Sequence, residues 1–259
     1  MAGEFIDRPC SSREHCSWMR NLSIIVPVLN EHDRILDCLV RLDGLLPREI
    51  IVVDNGSTDD TTELVSRWIR AHTLLSNLHL IQLPKPGKGA AIKAGMLEAK
   101  GDLCYMADCD LSTPAAAIIN FRMFMAIYKA DVVIGSRGMP KSKITQSSIR
   151  AVSGYLFHQL TRQLLPGIQD TQCGFKMFKI DAARTIFSNL QLEGLAFDVE
   201  ILLEARRLGY KVVEMPVTWN EDPQSRVHVI RDGIRMARDL LSLARRYKGK
   251  TFHAVAPAV

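Results

Sequence analysis

The sequence predicts a doubly wound α/β fold, a mostly parallel sheet with helices against both faces. Its apolar runs are short, unbroken and rich in β-branched residues, the pattern of strands buried on both faces. Stretches with apolar residues at three-and-four spacing separate these runs, so strands alternate with helices.

The elements follow in chain order. Leu22-Ser23-Ile24-Ile25-Val26 is the first strand and runs into Pro27-Val28-Leu29-Asn30-Glu31. Ile35, Leu39, Leu42 and Leu46 then mark one helix face, with Asn30 as a capping residue near its start. A second strand, Glu49-Ile50-Ile51-Val52-Val53, enters Asp54-Asn55-Gly56-Ser57-Thr58-Asp59. Leu64, Val65, Trp68 and Ile69 carry the next helix, capped near Ser57. The third strand, 78–83, meets the glycine-rich turn Pro84-Lys85-Pro86-Gly87-Lys88-Gly89, which opens a helix. Leu103-Cys104-Tyr105-Met106-Ala107 ends in Asp108-Cys109-Asp110, and Asp131-Val132-Val133-Ile134 ends in Gly135-Ser136-Arg137.

The second half is more helical. Residues 150–165 are amphipathic, with Val152, Tyr155, Leu156, Leu160 and Leu164 suited to core or to lipid contact. Asp170-Thr171-Gln172-Cys173-Gly174-Phe175-Lys176 reads as a turn and strand. Phe197-Asp198-Val199-Glu200 starts a helix with Val199, Leu202, Leu203 and Ala205 in the core. From 226 to 248, Ile230, Ile234, Ala237, Leu241 and Ala244 form an apolar stripe amid Arg231, Arg235, Arg238, Arg245 and Arg246. Packing of that stripe on the domain is its first expected role, and contact with an anionic membrane surface is an addition.

Composition suits one enzyme-sized unit. The 259 residues are 47% hydrophobic with net charge +5, and the mean hydropathy is +0.03. Residues 21–248 are expected to form a single domain, with a first half to about 138 and a second from 139 to 248. Residues 1–20 form a flexible extension and 249–259 a tail. No apolar stretch approaches the ~18 residues that span a bilayer, and 1–20 hold no hydrophobic signal core. Cys10, Cys16, Cys38, Cys104, Cys109 and Cys173 lack Cys-x-x-Cys spacing. They fit reduced, mostly buried thiols of a cytosolic protein. The modest charge permits an anionic partner, and no nucleic acid is expected.

In open α/β sheets ligands sit beyond the carboxyl ends of the strands. Glu31, Asp54, Asp108, Asp110 and Arg137 should therefore share one edge. Two aspartates there can hold a hard divalent cation against a diphosphate, although an isolated Asp-x-Asp also suits a solvated turn. The glycine-rich turn is neither a dinucleotide fingerprint nor a P-loop, since it follows the third strand and no Gly-Lys-Ser/Thr is present. It is either a plain helix start or a site where helix amides and Lys88 face an anion. Asp54 can be a turn residue or can accept an N–H of a nucleotide base.

Pro27-Val28-Leu29-Asn30-Glu31, Val53-Asp54-Asn55-Gly56-Ser57, Gly87-Lys88-Gly89, Asp108-Cys109-Asp110-Leu111-Ser112 and Gly135-Ser136-Arg137 together resemble family 2 glycosyltransferases of the GT-A fold. Asp170–Lys176, Phe197–Glu200 and Val217-Thr218-Trp219 narrow the resemblance to dolichyl- and polyprenyl-phosphate β-glucosyltransferases, with dolichyl-phosphate mannose synthases as cousins. It spans residues 22–240. The resemblance implies that Pro27, Glu31 and Asp54 line a nucleoside pocket, while Asp108 and Asp110 handle ribose, diphosphate and Mg2+ or Mn2+. Ser112 stands where some relatives have a glutamine ligand, Leu29 where an aromatic residue is common, and Asn55 where a second aspartate is common. Arg137 and Arg150 fall where relatives bind the acceptor phosphate, and Ser225-Arg226 where a pair closes over the site.

The implied activity is inverting transfer of a hexose, from UDP-glucose or next GDP-mannose, to a polyprenyl or dolichyl phosphate. Catalysis is then expected from Asp110, Arg137 and Asp198. Relatives of this kind carry a membrane anchor or a membrane partner subunit, so this chain is expected on the cytoplasmic face as a peripheral protein. Two alternatives stay open. A soluble hydroxyl acceptor would need a general base, with Asp198 or Asp170 as candidates. A non-catalytic nucleotide-sugar-binding subunit would keep the fold alone.

Overall fold

The computed structural model describes residues 18–72, 77–145, 148–220 and 229–252. Nine strands and eight helices lie among them. The strands are β1 (Leu22–Val28), β2 (Glu49–Asp54), β3 (Leu78–Gln82), β4 (Leu103–Met106), β5 (Val132–Ser136), β6 (Lys143–Thr145), β7 (Lys176–Lys179), β8 (Val212–Pro216) and β9 (Thr218–Asn220). The helices are α1 (Ile35–Asp43), α2 (Thr61–Ala71), α3 (Lys88–Glu98), α4 (Ala117–Ile127), α5 (Ser148–Leu164), α6 (Ile180–Ser188), α7 (Phe197–Arg207) and α8 (Val229–Arg246).

Seven strands form one sheet in the order β3-β2-β1-β4-β7-β5-β8, and β6 pairs with β9 in a small second sheet. Pairing in the large sheet is parallel except where β7 runs antiparallel between β4 and β5. The chain winds outward from β1 through β2 to β3, then returns to add β4 on the other side of β1. That reversal opens a crevice at the carboxyl ends of β1 and β4.

Residues along β1 and β2 are all buried and point alternately to the two faces of the sheet. Ile25, Ile51 and Val53 pack in one cluster with Ile92 and Met96 of α3, Phe187 of α6 and Leu202 of α7. Ile24, Val26, Ile50 and Val52 pack in the other with Leu39 of α1, Val65 of α2 and Phe121 of α4. Both faces of the sheet are thus dry, which is why its runs are continuously apolar.

Three local expectations are corrected. Leu46 lies past the end of α1, exposed and at φ 54, because α1 stops at Asp43. Neither Asn30 nor Ser57 caps a helix. Asn30, at φ 56, instead accepts the Thr58 N–H (2.7 Å), while its own N–H donates to the Ser57 hydroxyl (2.9 Å), tying the ends of β1 and β2 together. On α8, Leu240 and Leu243 are buried, as is Tyr247 just past its end, whereas Ile234 and Leu241 of the expected packing stripe are 54% and 59% exposed. Two polar anchors turn the helix that way: the Arg246 guanidinium donates to Glu200, and the Tyr247 hydroxyl to Glu204. On α5, Leu160 is exposed, while the side chains of Val152, Tyr155 and Leu156 lie outside the described residues, as does Ile230.

Candidate active site

A cavity of about 670 Å3 opens at the crevice. Pro27, Leu29 and Glu31 reach it from the end of β1, Lys88 from the start of α3, and Asp108, Asp110 and Ser112 from the end of β4. Arg137 follows β5, Asp198 stands on α7, Trp219 on β9 and Arg235 on α8. Eight expected site residues, Pro27, Glu31, Lys88, Asp108, Asp110, Ser112, Arg137 and Asp198, therefore share one cavity. The Arg150 side chain, and Ser225 and Arg226 entirely, lie outside the described residues.

The acidic corner is a tight turn. The Leu111 N–H donates to the Asp108 carbonyl (3.1 Å) with Leu111 at φ 45, a left-handed conformation costly for a branched apolar residue. The turn lets the Ser112 N–H donate to Asp110 Oδ1 (2.9 Å). The Lys88 ammonium sits 2.6 Å from Asp108 Oδ1. Behind Asp108 lies Gly174, where a Cβ would stand 2.0 Å from Asp108 Oδ2, so only glycine admits this carboxylate. Burial, and then the Asp108 charge, push the Asp110 carboxyl above its ordinary value despite the Ser112 amide and Lys88. Burial works to lower the Lys88 pKa, but Asp108, Asp198 and Asp110 outweigh it and raise it. The Cys109 thiol, between the two aspartates, is held well above its ordinary pKa by the Cys38 thiol and by burial. It is no nucleophile. Cys38, Cys104, Cys109 and Cys173 are all free and buried, and Cys10 and Cys16 lie outside the described residues.

The end of β2 holds the neighbouring wall. Asp54 is buried, accepting the Ser57 N–H (3.0 Å) and the Thr62 hydroxyl (2.5 Å), and it does not line the cavity. Its neighbour Asn55 does line it, and the Asn55 side-chain Oδ1 accepts the Gly87 N–H (2.6 Å). The Gly89 N–H donates to the Glu193 carbonyl (2.8 Å). These two amides are thus satisfied within the protein, and the Lys88 ammonium, not they, is what this turn offers an anion. The expectation of helix amides facing an anion therefore does not extend to these two.

The opposite wall is built around Arg137. Its Nε and Nη2 donate to Asp170 at 2.7 and 3.0 Å, its backbone N–H adds a third bond to that carboxylate at 3.0 Å, and its guanidinium lies 5.2 Å from the Trp219 ring centre. Asp170 is fixed in turn, because the buried Glu214 carboxylate accepts the Gln169 and Asp170 N–H groups. Burial would raise the Asp170 pKa, but Arg137 overrides it and holds the carboxyl below its ordinary value. Asp170 is consequently an anchor for Arg137 and a poor proton acceptor, which corrects its candidacy as a base. Asp198 accepts from Lys176 Nζ at 2.5 Å, and Lys176 is 0% exposed. Burial raises the Asp198 pKa, opposed by Lys176 and Lys88. Glu200 lies away from the cavity, accepting the Gln191 and Leu192 N–H groups (2.9 and 2.7 Å) as well as Arg246.

Residues 23–187 match the family described as Glycosyl transferase family 2. The chain belongs to glycosyl transferase family 2. This family 2 chain is 37% identical to the dolichyl-phosphate beta-glucosyltransferase of Dictyostelium discoideum, an alignment covering 87% of this chain and 74% of that one. It is 33% identical to the Saccharomyces cerevisiae protein of that name (87% and 75% covered), and 32% identical to the human one (88% and 76%). Among solved structures, Mycobacterium tuberculosis glucosyl-3-phosphoglycerate synthase superposes with TM-score 0.65 at 20% identity, covering 97% of this chain and 94% of that one. The Pyrobaculum calidifontis mannosyltransferase PcManGT, solved with GDP-Man and Mn2+, superposes with TM-score 0.60 at 20% identity (89% and 66%). The fold is GT-A, and the family 2 chain is a glycosyltransferase.

Its acidic corner fits a divalent cation. Asp108 and Asp110 supply oxygen donors suited to a hard ion, and the Ser112 hydroxyl beside them is buried with no hydrogen-bonding partner. Among the described residues no group of three or more His, Cys, Asp or Glu side chains could form a metal cage by itself. Two carboxylates that leave the remaining positions to water and phosphate oxygens suit Mg2+ or Mn2+.

Sequence reasoning missed Arg34, Gln172, Gly174, Asp232, Arg235, Met236 and Asp239 as cavity-lining residues. Arg34, three residues past Glu31 and donating to it at 2.7 Å from Nε, could have been found from that spacing. The α8 residues carry no such signal, because their facing depends on how the helix packs.

Proposed function

We propose that the protein transfers glucose from UDP-glucose to dolichyl phosphate or another polyprenyl phosphate, inverting the anomeric carbon, with Mg2+ or Mn2+ as cofactor. GDP-mannose is the next donor. The observation that carries this reading is Arg137, a guanidinium aimed by Asp170 and Trp219 into the same cavity as the Asp108–Asp110 corner. With two of its five N–H donors bound to Asp170, the rest can take phosphate oxygens. The names of relatives at 32–37% identity support the same acceptor and sugar.

The chemistry suits these side chains. Pro27, Glu31 and, at the end of β2, Asn55 bound the nucleoside, with Asp54 bracing the turn behind them, and Asp108 and Asp110 face its diphosphate. A bound divalent cation would neutralise charge on the departing diphosphate. Lys88 supplies a second positive charge there. Arg137 holds the acceptor phosphate close to the donor against the repulsion of two anionic groups. A phosphate monoester with a second pKa of about 6 is largely dianionic at neutral pH. Its oxygen attacks the anomeric carbon as the bond to the diphosphate breaks, with no proton to remove. An α-linked donor gives a β-linked product.

A hydroxyl acceptor would require a base, and the two aspartates considered for that role are both ion-paired. Protonating Asp198 would strip the fully buried Lys176 ammonium of its counter-charge, a costly state. Asp198 therefore serves better to position Lys176 and Lys88. A non-catalytic subunit would have no use for Arg137 and the acidic corner in one cavity.

A lipid acceptor brings the protein to a membrane surface. None of the described helices is long and apolar enough to cross a bilayer. On α8, exposed Ile234 and Leu241 lie among exposed Arg238 and Arg245, and exposed Leu160 stands on the contacting helix α5. Such a face suits an anionic bilayer surface, and the inner side of α8 lines the cavity through Arg235 and Met236. A lipid phosphate could thus enter beside this helix; a membrane partner subunit is the other means of docking.

The test is incubation with labelled UDP-glucose or GDP-mannose, Mg2+ and polyprenyl phosphate, followed by extraction into organic solvent. Lipid-soluble label that disappears with chelator and in Asp110→Asn is expected. Label only in a water-soluble product would replace the acceptor, and binding without turnover on either acceptor would replace the enzyme reading.

A further inference from the structure

We propose that Lys88 is a tethered counter-ion of the acidic corner, holding Asp108 until donor arrives, so that a divalent cation and the nucleotide diphosphate bind as a coupled pair. This rests on the reading of Asp108 and Asp110 as the metal-binding residues.

Geometry supplies the argument. Asp108 is confined on both sides: Lys88 Nζ is 2.6 Å from Oδ1, and the Gly174 backbone lies directly behind Oδ2. The carboxylate sits on a short stem between these two groups, whereas a lysine ammonium on its four-carbon stem can swing away. A cation bound to Asp108 would stand close to the ammonium in a partly buried site, with the two side chains 26% and 29% exposed, where repulsion between a dication and a monocation is stronger than in open water. Lys88 must therefore leave Asp108 before or as the metal takes it.

Asp198, which also acts on Lys88, is already paired with Lys176. Without an anionic ligand, Lys88 would move from a salt bridge to a poorer place, so metal alone is disfavoured. A diphosphate gives the ammonium a new anion within reach of its stem. Metal takes the carboxylate, lysine takes phosphate, and each binding event lowers the cost of the other. Lys88 is a positioning residue in this exchange, and no covalent step is involved.

Mn2+ binding to the whole chain, read from the free-Mn2+ paramagnetic resonance signal with and without UDP, tests the idea without turnover. The wild-type protein should bind Mn2+ at least about tenfold tighter with saturating UDP than alone, within the usual range of coupling between sites. Lys88→Met should bind Mn2+ alone about tenfold tighter than wild type and show a UDP coupling smaller by about the same factor, the remainder coming from phosphate oxygens on the metal. Lys88→Arg, which keeps the charge, should resemble wild type. The proposal is overturned if Lys88→Met binds Mn2+ alone no tighter than wild type, or if wild type shows no coupling; the second readout stands even if the methionine variant does not fold. Should Asp110→Asn bind Mn2+ with UDP as well as wild type, the assignment of the metal-binding residues fails instead.

Discussion

Replacing Asp170 with asparagine isolates the part of the site that aims Arg137. The change is nearly isosteric but removes the charge that two guanidinium N–H groups and the Arg137 amide share. Removing one partner of a buried ion pair costs about 3–5 kcal/mol because the other charge is left uncompensated. Asp170 is buried, yet the Arg137 side chain is 28% exposed and cation–π contact with Trp219 persists, so water and the ring recover part of the loss. The expected cost is about 2–3 kcal/mol, read as a fall in Tm of about 5–10 °C for a chain of this size. The pH dependence gives a second readout. Because the folded pKa of Asp170 lies below its ordinary value, the pair stabilises the fold fully above about pH 4 and that stability disappears as pH falls through the lower, folded value. The wild type and Asp170→Asn should therefore converge in acid and differ by a constant amount near neutrality, measured by urea unfolding across pH. In the transfer assay the variant should lose apparent affinity for polyprenyl phosphate more than for the nucleotide sugar. A variant within about 0.5 kcal/mol of wild type at pH 7, or a difference that persists unchanged into acid, would refute the anchoring role.

Three further outcomes follow from the packing. Gly174→Ala places a methyl where Asp108 Oδ2 now lies; UDP binding in the presence of Mn2+ should weaken by roughly 1–3 kcal/mol, and unchanged calorimetric affinity would show that Asp108 is not needed where it stands. Glu200→Gln should cost about 2–3 kcal/mol of stability in urea unfolding, since Glu200 joins the 191–192 turn to Arg246 of α8, while leaving Mn2+ affinity with UDP unchanged. Ile234→Asp together with Leu241→Asp should alter stability by no more than about 0.5 kcal/mol, as surface changes do, yet abolish sedimentation with anionic vesicles; retained sedimentation would move the membrane contact off α8.

The site was legible to the extent that strand ends reveal it. Val26, Val53, Met106 and Ile134 lie at or near the ends of dry strands, and the polar residues that follow them gather at one edge because parallel strands point the same way. Asp108, Asp110, Arg137 and Glu31 could be grouped on that ground alone. Asp54 obeys the same rule in sequence but turns its carboxylate to Ser57 and Thr62, since the local turn takes up its oxygens first. The sequence places Lys88 to face an anion, and within the fold itself its partner is Asp108.

What the sequence by itself determined is the alternation of buried strands and helices, and with it the edge where chemistry could occur, because side-chain periodicity and strand burial are local properties of the chain. Only the tertiary structure decided which charges pair across that edge. β7 has just four residues, and nothing local tells it to run antiparallel between β4 and β5; yet that insertion places Lys176 beneath Asp198 and Gly174 behind Asp108. The sequence likewise shows one apolar stripe on α8, and it is the meeting of Glu200 and Glu204 of α7 with Arg246 and Tyr247 that turns Leu240 and Leu243 inward instead. Such pairings depend on contacts between distant segments, whose free energy no window of sequence contains.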